Sequence, residues 1–139
     1  MAEVTIRKEL SANDIGETGG HQAGMLIPKA PEILAFFPPL DASEYNPRQR
    51  ILFTDAAGDR RNFNFIYYNN RLHKKGTRNE YRLTGMTRFL REAHLQVGDA
   101  IVLTRSDDDY GIRIDRAGTA AQDEGTRLVL TAGWVIIES

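Results

Sequence analysis

A cationic run at residues 67–82 offers the clearest chemistry in this 139-residue chain. It contains five fixed cations and a single acid, which are Arg71, Lys74, Lys75, Arg78, Arg82 and Glu80. Five positive charges and one negative charge leave +4 locally, whereas the whole chain carries −1.

Such cationic clusters attract the phosphate backbones of nucleic acids and release counterions on binding. Arginine also forks onto guanine, asparagine pairs with adenine, and a carboxylate accepts from the cytosine amino group, so Glu80 favours base reading over a purely electrostatic patch. A solvated hairpin loop with no partner is the alternative interpretation of this run.

A second segment with possible binding chemistry is the polar, glycine-rich stretch 13–24. Backbone N–H groups in such a loop can surround a phosphate, but the Gly-Lys-Ser/Thr ending of a P-loop is missing, which argues against a nucleotide site. His21 and Gln22 are suitable donors, and the glycines allow a close backbone approach to nucleic acid. The stretch is therefore either a second nucleic-acid-contacting arm or an ordinary surface loop.

Patterns for catalysis or metal binding are weak. The chain has no cysteine, which excludes disulfides and thiolate metal sites. Its histidines are His21, His73 and His94. They lack the paired spacing of zinc ligands. A magnesium-dependent nuclease needs clustered carboxylates; the nearest candidate combines Asp55 or Asp59 with Glu80, and no second acid accompanies Glu80.

Composition predicts one soluble globular domain over residues 1–139. Hydrophobic residues make up 41% of the chain and charged residues 27%, both ordinary values. No apolar run approaches the ~20 residues that span a bilayer, and the N-terminus lacks a signal-peptide pattern. A cytoplasmic, bacterial protein is the expectation.

The cationic run is expected at the tip of a hairpin. Residues 62–67 alternate polar and apolar, which predicts a half-buried strand leading into the run, and residues 81–83 are predicted to return as its partner. Helices are predicted at 31–39, between prolines, and at 85–94, where four apolar residues share one face. About seven short strands with two short helices indicate a mainly β fold, a barrel or distorted open barrel.

Two segments resemble the DNA-contacting arms in the effector domain of EcoRII-type restriction endonucleases. The first has Leu-Ser-Ala-Asn-Asp at 10–14, Thr-Gly-Gly-His-Gln at 18–22, Gly24 and Ile-Pro at 27–28. The second has Tyr-Tyr-Asn-Asn-Arg at 67–71, Gly-Thr-Arg-Asn-Glu at 76–80 and Arg82. Residues 89–102 resemble the helix–turn–strand of the wider pseudobarrel family, which includes plant B-three transcription-factor domains.

The resemblance implies a seven-stranded open pseudobarrel that grips double-stranded DNA with both arms in the major groove. It implies a short CCWGG-like site (W is A or T) and an allosteric effector role without cleavage or a cofactor of its own. A separate C-terminal nuclease domain of the same polypeptide would use Mg²⁺ to cut. The module is expected to bind as a monomer, with no membrane partner. A compact magnesium-dependent nuclease and a protein-interaction β-barrel are the alternatives.

The resemblance also implies roles for individual residues. The implied base readers are Arg71, Glu80, Arg82 and His21. The implied backbone or supporting contacts are Lys8, Ser11, Asn13, Gln22, Asn70, Lys74, Lys75, Arg78 and Asn79. Three departures from the family pattern stand out: Leu26 replaces an expected aromatic residue, Glu9 stands where a basic residue would fit, and the stretch containing Lys74 and Lys75 is one residue longer.

Overall fold

The computed structural model describes residues 3–12, 25–116, 126–129 and 133–138. These residues form nine strands and two short helices. The strands are β1 Val4–Glu9, β2 Met25–Ile27, β3 Arg48–Thr54, β4 Arg60–Tyr68, β5 Glu80–Thr84, β6 Ala100–Ser106, β7 Asp109–Asp115, β8 Thr126–Val129 and β9 Trp134–Glu138; the helices are α1 Pro31–Leu34 and α2 Thr87–Glu92. About seven strands were predicted from the sequence; the strand that was not predicted is β2, whose three residues are too few for periodicity to carry information.

All nine strands belong to one sheet, in the order β2-β5-β4-β3-β7-β6-β1-β9-β8. Every neighbouring pair is antiparallel except β3 and β7, which run parallel through two residue pairs, Phe53 with Tyr110 and Thr54 with Gly111. A Cβ atom at Gly111 would lie 2.7 Å from the Thr104 hydroxyl oxygen. Because Thr104 lies on β6, the glycine allows β7 to approach β6 closely at the residue that also pairs with β3.

The sheet curls until its two ends meet. The indole Nε1 of Trp134, at the start of β9, donates a 3.0 Å hydrogen bond to the backbone carbonyl of Leu26 in β2. Because β2 is one edge strand and β9 lies next to the other edge, this bond closes an open barrel. The predicted mainly β pseudobarrel with two short helices is confirmed.

A single apolar core fills the concave side of the curled sheet. Phe36, Phe53, Phe63 and Phe65 are at most 2% exposed, and α1 contributes the fully buried Ile33. Burying aromatic side chains of this size is the main stabilising contribution expected in a small domain. The core fixes the strands that carry the charged residues.

Helix α2 is shorter than predicted, for a backbone reason. Gly85 precedes it with φ +83°, and His94 follows it with φ +51°. Left-handed residues cannot continue a right-handed helix, so the helix occupies 87–92 rather than 85–94. Phe89 nevertheless points into the core, with its ring centroid 5.9 Å from that of Phe63. Among the described residues, neither helix has the length and apolar character needed to cross a membrane.

The predicted hairpin is confirmed. Strand β4 pairs antiparallel with β5, from Asn64 opposite Thr84 to Tyr68 opposite Glu80. Tyr67 and Tyr81, which are opposite each other, stack at 4.3 Å between ring centroids with an 8° angle between planes. The turn between the strands, residues 69–79, is called the cationic arm below.

Candidate nucleic-acid interface

The cationic arm has a defined backbone. The Arg71 N–H donates across the loop to the Arg78 carbonyl at 2.9 Å, and the Lys75 N–H donates to the Asn70 carbonyl at 2.9 Å. Lys74 has φ +57° and Gly76 has φ +143°, which reverses the chain at the tip. Positive φ is unusual for lysine, so the surrounding hydrogen bonds must hold the Lys74 conformation.

The base of the arm is anchored by a neighbouring segment, residues 41–47. Asn69 is completely buried. Its backbone N–H donates to the Asn46 side-chain oxygen at 3.0 Å, and the Asn46 N–H donates back to the Asn69 side-chain oxygen at 2.7 Å. The Asn69 amide nitrogen also donates to the carbonyls of Ala42 and Glu44, at 3.1 and 2.7 Å. Four hydrogen bonds therefore join the arm to this segment through one side chain and its backbone.

Tyr45 supports one side of the arm. Its hydroxyl accepts a 2.8 Å hydrogen bond from the Asn70 amide nitrogen. The Lys75 ammonium lies 5.3 Å from the Tyr45 ring centroid, within cation–π range. His73 packs edge-on against the same ring and places Nε2 3.2 Å from the Ala42 carbonyl. This support was not predicted from the sequence, where its visible sign is the turn-forming Asn46-Pro47 pair.

The cations of the arm divide into two groups. Arg71, Lys74 and Lys75 are exposed, and the Arg71 side chain makes no ion pair within the part of the chain that the structure describes. Arg78 is also exposed, but it packs over Tyr68, with its guanidinium carbon 3.8 Å from the ring centroid. The first group is available to a ligand, and the second is held in a fixed orientation.

Glu80 lies between two arginines. It accepts a hydrogen bond from Arg82 Nε, and Arg78 Nε lies 3.6 Å from its other oxygen. The Glu80 and Arg82 side chains are 26% and 19% exposed, so both retain contact with solvent. Residues 80 and 82 are two positions apart on one strand, so the carboxylate and the guanidinium lie on the same face of the sheet. The structure thus brings these two predicted base readers together.

Asn79 is held by a neighbouring tyrosine. The Tyr67 hydroxyl donates a 2.6 Å hydrogen bond to the Asn79 side-chain oxygen. This contact leaves the amide nitrogen of Asn79 as a donor at the root of the cationic arm.

The glycine-rich stretch 13–24, with Asn13, His21 and Gln22, lies outside the described residues. Its two flanks are described. Before it, the Leu10 N–H donates to the Asp99 carbonyl at 2.8 Å. After it, β2 pairs with β5, and Leu26 lies opposite Arg82. The chain therefore re-enters the sheet directly beside the strand that bears Glu80 and Arg82.

The two supporting residues predicted before this stretch differ in exposure. Ser11 is exposed. Lys8 is 6% exposed, and its ammonium donates a 3.0 Å hydrogen bond to the Glu9 carbonyl. A phosphate contact by Lys8 requires its side chain to turn outward.

The carboxylates considered for a magnesium site are not brought together. Asp55 pairs with Arg61 at 3.0 Å, whereas Glu80 contacts Arg78 and Arg82. Within the described ranges, no group of three or more His, Asp or Glu side chains has an arrangement that could hold a metal ion.

Comparison with known proteins gives consistent matches. The family model described as "Restriction endonuclease EcoRII, N-terminal" matches residues 2–108. The Type II restriction enzyme EcoRII of Escherichia coli is 39% identical over 93 residues, which are 65% of this chain and 22% of that protein. Auxin response factor 22 of Arabidopsis thaliana is 35% identical over 113 residues, which are 80% of this chain and 17% of that protein. The chain thus spans about a fifth of the length of these curated relatives.

A solved structure titled "Arabidopsis FUS3-DNA complex" is also similar. It aligns with a TM-score of 0.61 and 24% identity, covering 81% of this chain and 96% of that chain. At this identity the likeness shows a shared fold. The family model covers both helices, the cationic arm and the strands that carry it. The chain belongs to the family of EcoRII restriction endonuclease N-terminal domains.

Proposed function

We propose that this chain is a sequence-specific binding module for double-stranded DNA. The observation that carries the proposal is an exposed set of cations, Arg71, Lys74 and Lys75, on a loop anchored at its base and next to the Glu80–Arg82 pair. A preorganised loop loses little conformational entropy on binding. Membership of a restriction-enzyme family and the shared fold of a protein solved with DNA support the same function.

In the proposed complex, base reading belongs to Arg71, Glu80 and Arg82, with His21 from the first arm. Arginine forks onto the O6 and N7 atoms of guanine, and a carboxylate accepts from the N4 amino group of cytosine. Two arginines and one glutamate therefore suit a G·C-rich site read in the major groove. A CCWGG-like sequence fulfils this requirement.

The remaining polar residues position the module on the DNA backbone. The proposed phosphate or supporting contacts are Lys8, Ser11, Asn13, Gln22, Asn70, Lys74, Lys75, Arg78 and Asn79. Contacts of this kind fix orientation and register but carry no sequence information directly. They make affinity strongly dependent on salt concentration, because each neutralised phosphate releases counterions.

We further propose that the module is non-catalytic and acts as the allosteric effector of a longer restriction enzyme. A separate nuclease domain of that polypeptide would cleave DNA and would use Mg²⁺. The module itself would bind its site as a monomer. The match of residues 2–108 to the N-terminal model of the EcoRII family supports this division of labour.

The test is a binding titration with a labelled CCWGG duplex and a scrambled duplex at moderate salt. Scrambling changes several base pairs, each expected to cost about 1–3 kcal/mol, so the CCWGG duplex should bind more than about tenfold tighter. Arg88→Ala is the matched control, because it removes an 86% exposed arginine of α2, outside the proposed interface.

Three results would contradict the proposal. Equal affinity for both duplexes would remove sequence specificity. Absence of duplex binding even at low salt would favour a protein-interaction barrel. Mg²⁺-dependent cutting of plasmid by the purified chain would favour a nuclease.

A further inference from the structure

A cleft of about 480 Å³ lies along the paired strands β2 and β5 and the residues that flank them, beside the Glu80–Arg82 pair. Its two walls differ in chemistry. One wall consists of the apolar residues Leu26, Ile27 and Pro28, of which Ile27 and Pro28 are buried, and of the exposed Lys29; the other is polar and contains Asn79, Glu80 and Arg82. An apolar surface has therefore been placed within the reach of the residues assigned to base reading.

Leu26 is the exposed member of the apolar wall. It is 39% exposed, whereas its neighbours Met25 and Ile27 are 2% and 1% exposed. Leu26 lies directly opposite Arg82 in the antiparallel pair. Opposite residues project to the same face with Cβ atoms about 4.5–5.5 Å apart. The leucine side chain thus stands next to the Arg82 guanidinium stem and outside the core.

The backbone at Leu26 is fixed from behind. Its carbonyl accepts the 3.0 Å hydrogen bond from the fully buried Trp134 indole, and its strand is paired with β5. An exposed leucine held in this way is preorganised for contact with a ligand. The ligand group must be apolar, because leucine offers no donor or acceptor.

We propose that this cleft receives the C5-methyl group of a pyrimidine, in the base pair next to the G·C pair contacted by Glu80 and Arg82. The inference rests on the proposed DNA-binding function. In the major groove, the C5-methyl of thymine is the apolar group that side chains contact, and it lies at the same edge as the donors and acceptors that arginine and glutamate read. The cleft offers an apolar partner for the methyl group, Leu26, next to polar partners for the base edge, Glu80 and Arg82. Leu26 is then a specificity-determining residue.

Thymine and 5-methylcytosine both carry this methyl group, and defined duplexes separate them. In the first arm of the experiment, the thymine of the CCWGG site is replaced by deoxyuracil, which removes only the methyl. In the second arm, 5-methylcytosine replaces each cytosine of the site in turn. Burying one methyl group corresponds to about a fourfold change in affinity.

The expected results differ between the two sources. If thymine occupies the cleft, deoxyuracil weakens binding about fourfold. If 5-methylcytosine occupies it, one methylated position strengthens binding about fourfold, and deoxyuracil has no effect. Either result supports the inference and identifies the base.

A variant then assigns the effect to the leucine. Leu26→Ala should bring the affinity ratio between the methylated and unmethylated duplexes to about one, since the apolar partner is lost. Leu52→Ala is the matched control, because Leu52 is 41% exposed on β3 and does not line the cleft. Circular dichroism of both variants checks that they are folded.

The inference is overturned if the unsubstituted chain is insensitive to every methyl change, a measurement that needs no variant. It is also overturned if a folded Leu26→Ala protein keeps the original ratio. Failure of the proposed function gives a different result: the CCWGG duplex is then not preferred over scrambled duplex at all, and the inference fails with it.

Discussion

Two charged clusters lie at opposite ends of β4, and they differ in whether their charges are balanced. Near the start of the strand, Arg61 contacts Asp55 at 3.0 Å and Glu92 at 2.7 Å, and Arg88 contacts Glu92 at 2.8 Å. Two cations and two acids cancel there. Beyond Tyr68 at the other end, about 23 Å away at 3.3 Å per strand residue, the cationic run has five cations and one acid.

The comparison distinguishes charges that stabilise the fold by pairing with each other from charges that are available to bind a ligand. In the balanced cluster, hydrogen bonds from Arg61 and then Arg88 lower the pKa of Glu92 below its ordinary value of 4.5. In the cationic run, the acid Glu80 contacts the two arginines Arg78 and Arg82, and the other three cations are exposed. We expect substitutions in the two clusters to affect different measurements.

The largest expected effect comes from removing the anchor of the arm. Asn69→Ala removes the buried side-chain amide that makes hydrogen bonds to the backbone of Ala42, Glu44 and Asn46. Because the groups left behind lose their partners, the free energy of unfolding in urea should fall by about 3 kcal/mol. Asn62→Ala, at an exposed position of β4, should change this free energy by less than about 0.5 kcal/mol. Equal effects of the two substitutions would show that the anchor does not stabilise the arm.

Removing an exposed arginine should act on recognition rather than stability. Arg71→Ala is expected to cost about 1–3 kcal/mol of binding free energy on the CCWGG duplex and to reduce discrimination against scrambled duplex. Arg88→Ala, in the balanced cluster, should leave both affinities unchanged. Fluorescence anisotropy measures the affinity of each of the two variants for each of the two duplexes. An Arg71 variant that weakened both duplexes to the same extent would assign Arg71 to the DNA backbone.

A smaller and uniform effect is expected for Lys74→Ala. Alanine keeps the Cβ atom, so the backbone strain at φ +57° is unchanged and only the ammonium is lost. Binding to specific and random duplexes should weaken alike, and the slope of log affinity against log salt should fall by about one. An unchanged slope would exclude a phosphate contact by this residue.

The smallest effect should come from the balanced cluster and should depend on pH. The lowered pKa of Glu92 means that its ionised form stabilises the fold above pH 4.5, and that this stabilisation is lost as the pH falls through the lower folded-state pKa. Glu92→Gln should therefore lower the melting temperature slightly at pH 7, and this difference should vanish in acid. A difference independent of pH would contradict the prediction. Affinity for DNA at pH 7 should be unaffected.

Local patterns were sufficient to predict the hairpin and the nature of its tip. The alternation in residues 62–67 and the polar turn depend on neighbours in sequence, and β4 and β5 form as expected. The anchoring segment could not be found in this way, because Asn69 reaches partners 23 to 27 residues away. The Arg61–Glu92 pair joins positions 31 residues apart and was missed for the same reason.

The identities of the candidate site residues followed from the family resemblance, whereas their contacts did not. The pairing of Glu80 with Arg82 follows from strand alternation once β5 is known. The packing of Arg78 on Tyr68 and the burial of Lys8 depend on side-chain positions that sequence spacing leaves open. Leu26 was noticed as a departure from the family pattern, and its place opposite Arg82 became visible only with the strand register.

The junction between β3 and β7 divides the sheet into two sets of strands, β2-β5-β4-β3 and β7-β6-β1-β9-β8. The cationic arm begins and ends within the first set, whereas the chain leading into the glycine-rich stretch leaves from β1 in the second set and returns at β2 in the first. Two parallel residue pairs and one indole–carbonyl bond join the sets on their two sides. The relative position of the points where these two segments leave the sheet therefore depends on two small junctions, a short parallel ladder and a single indole–carbonyl bond.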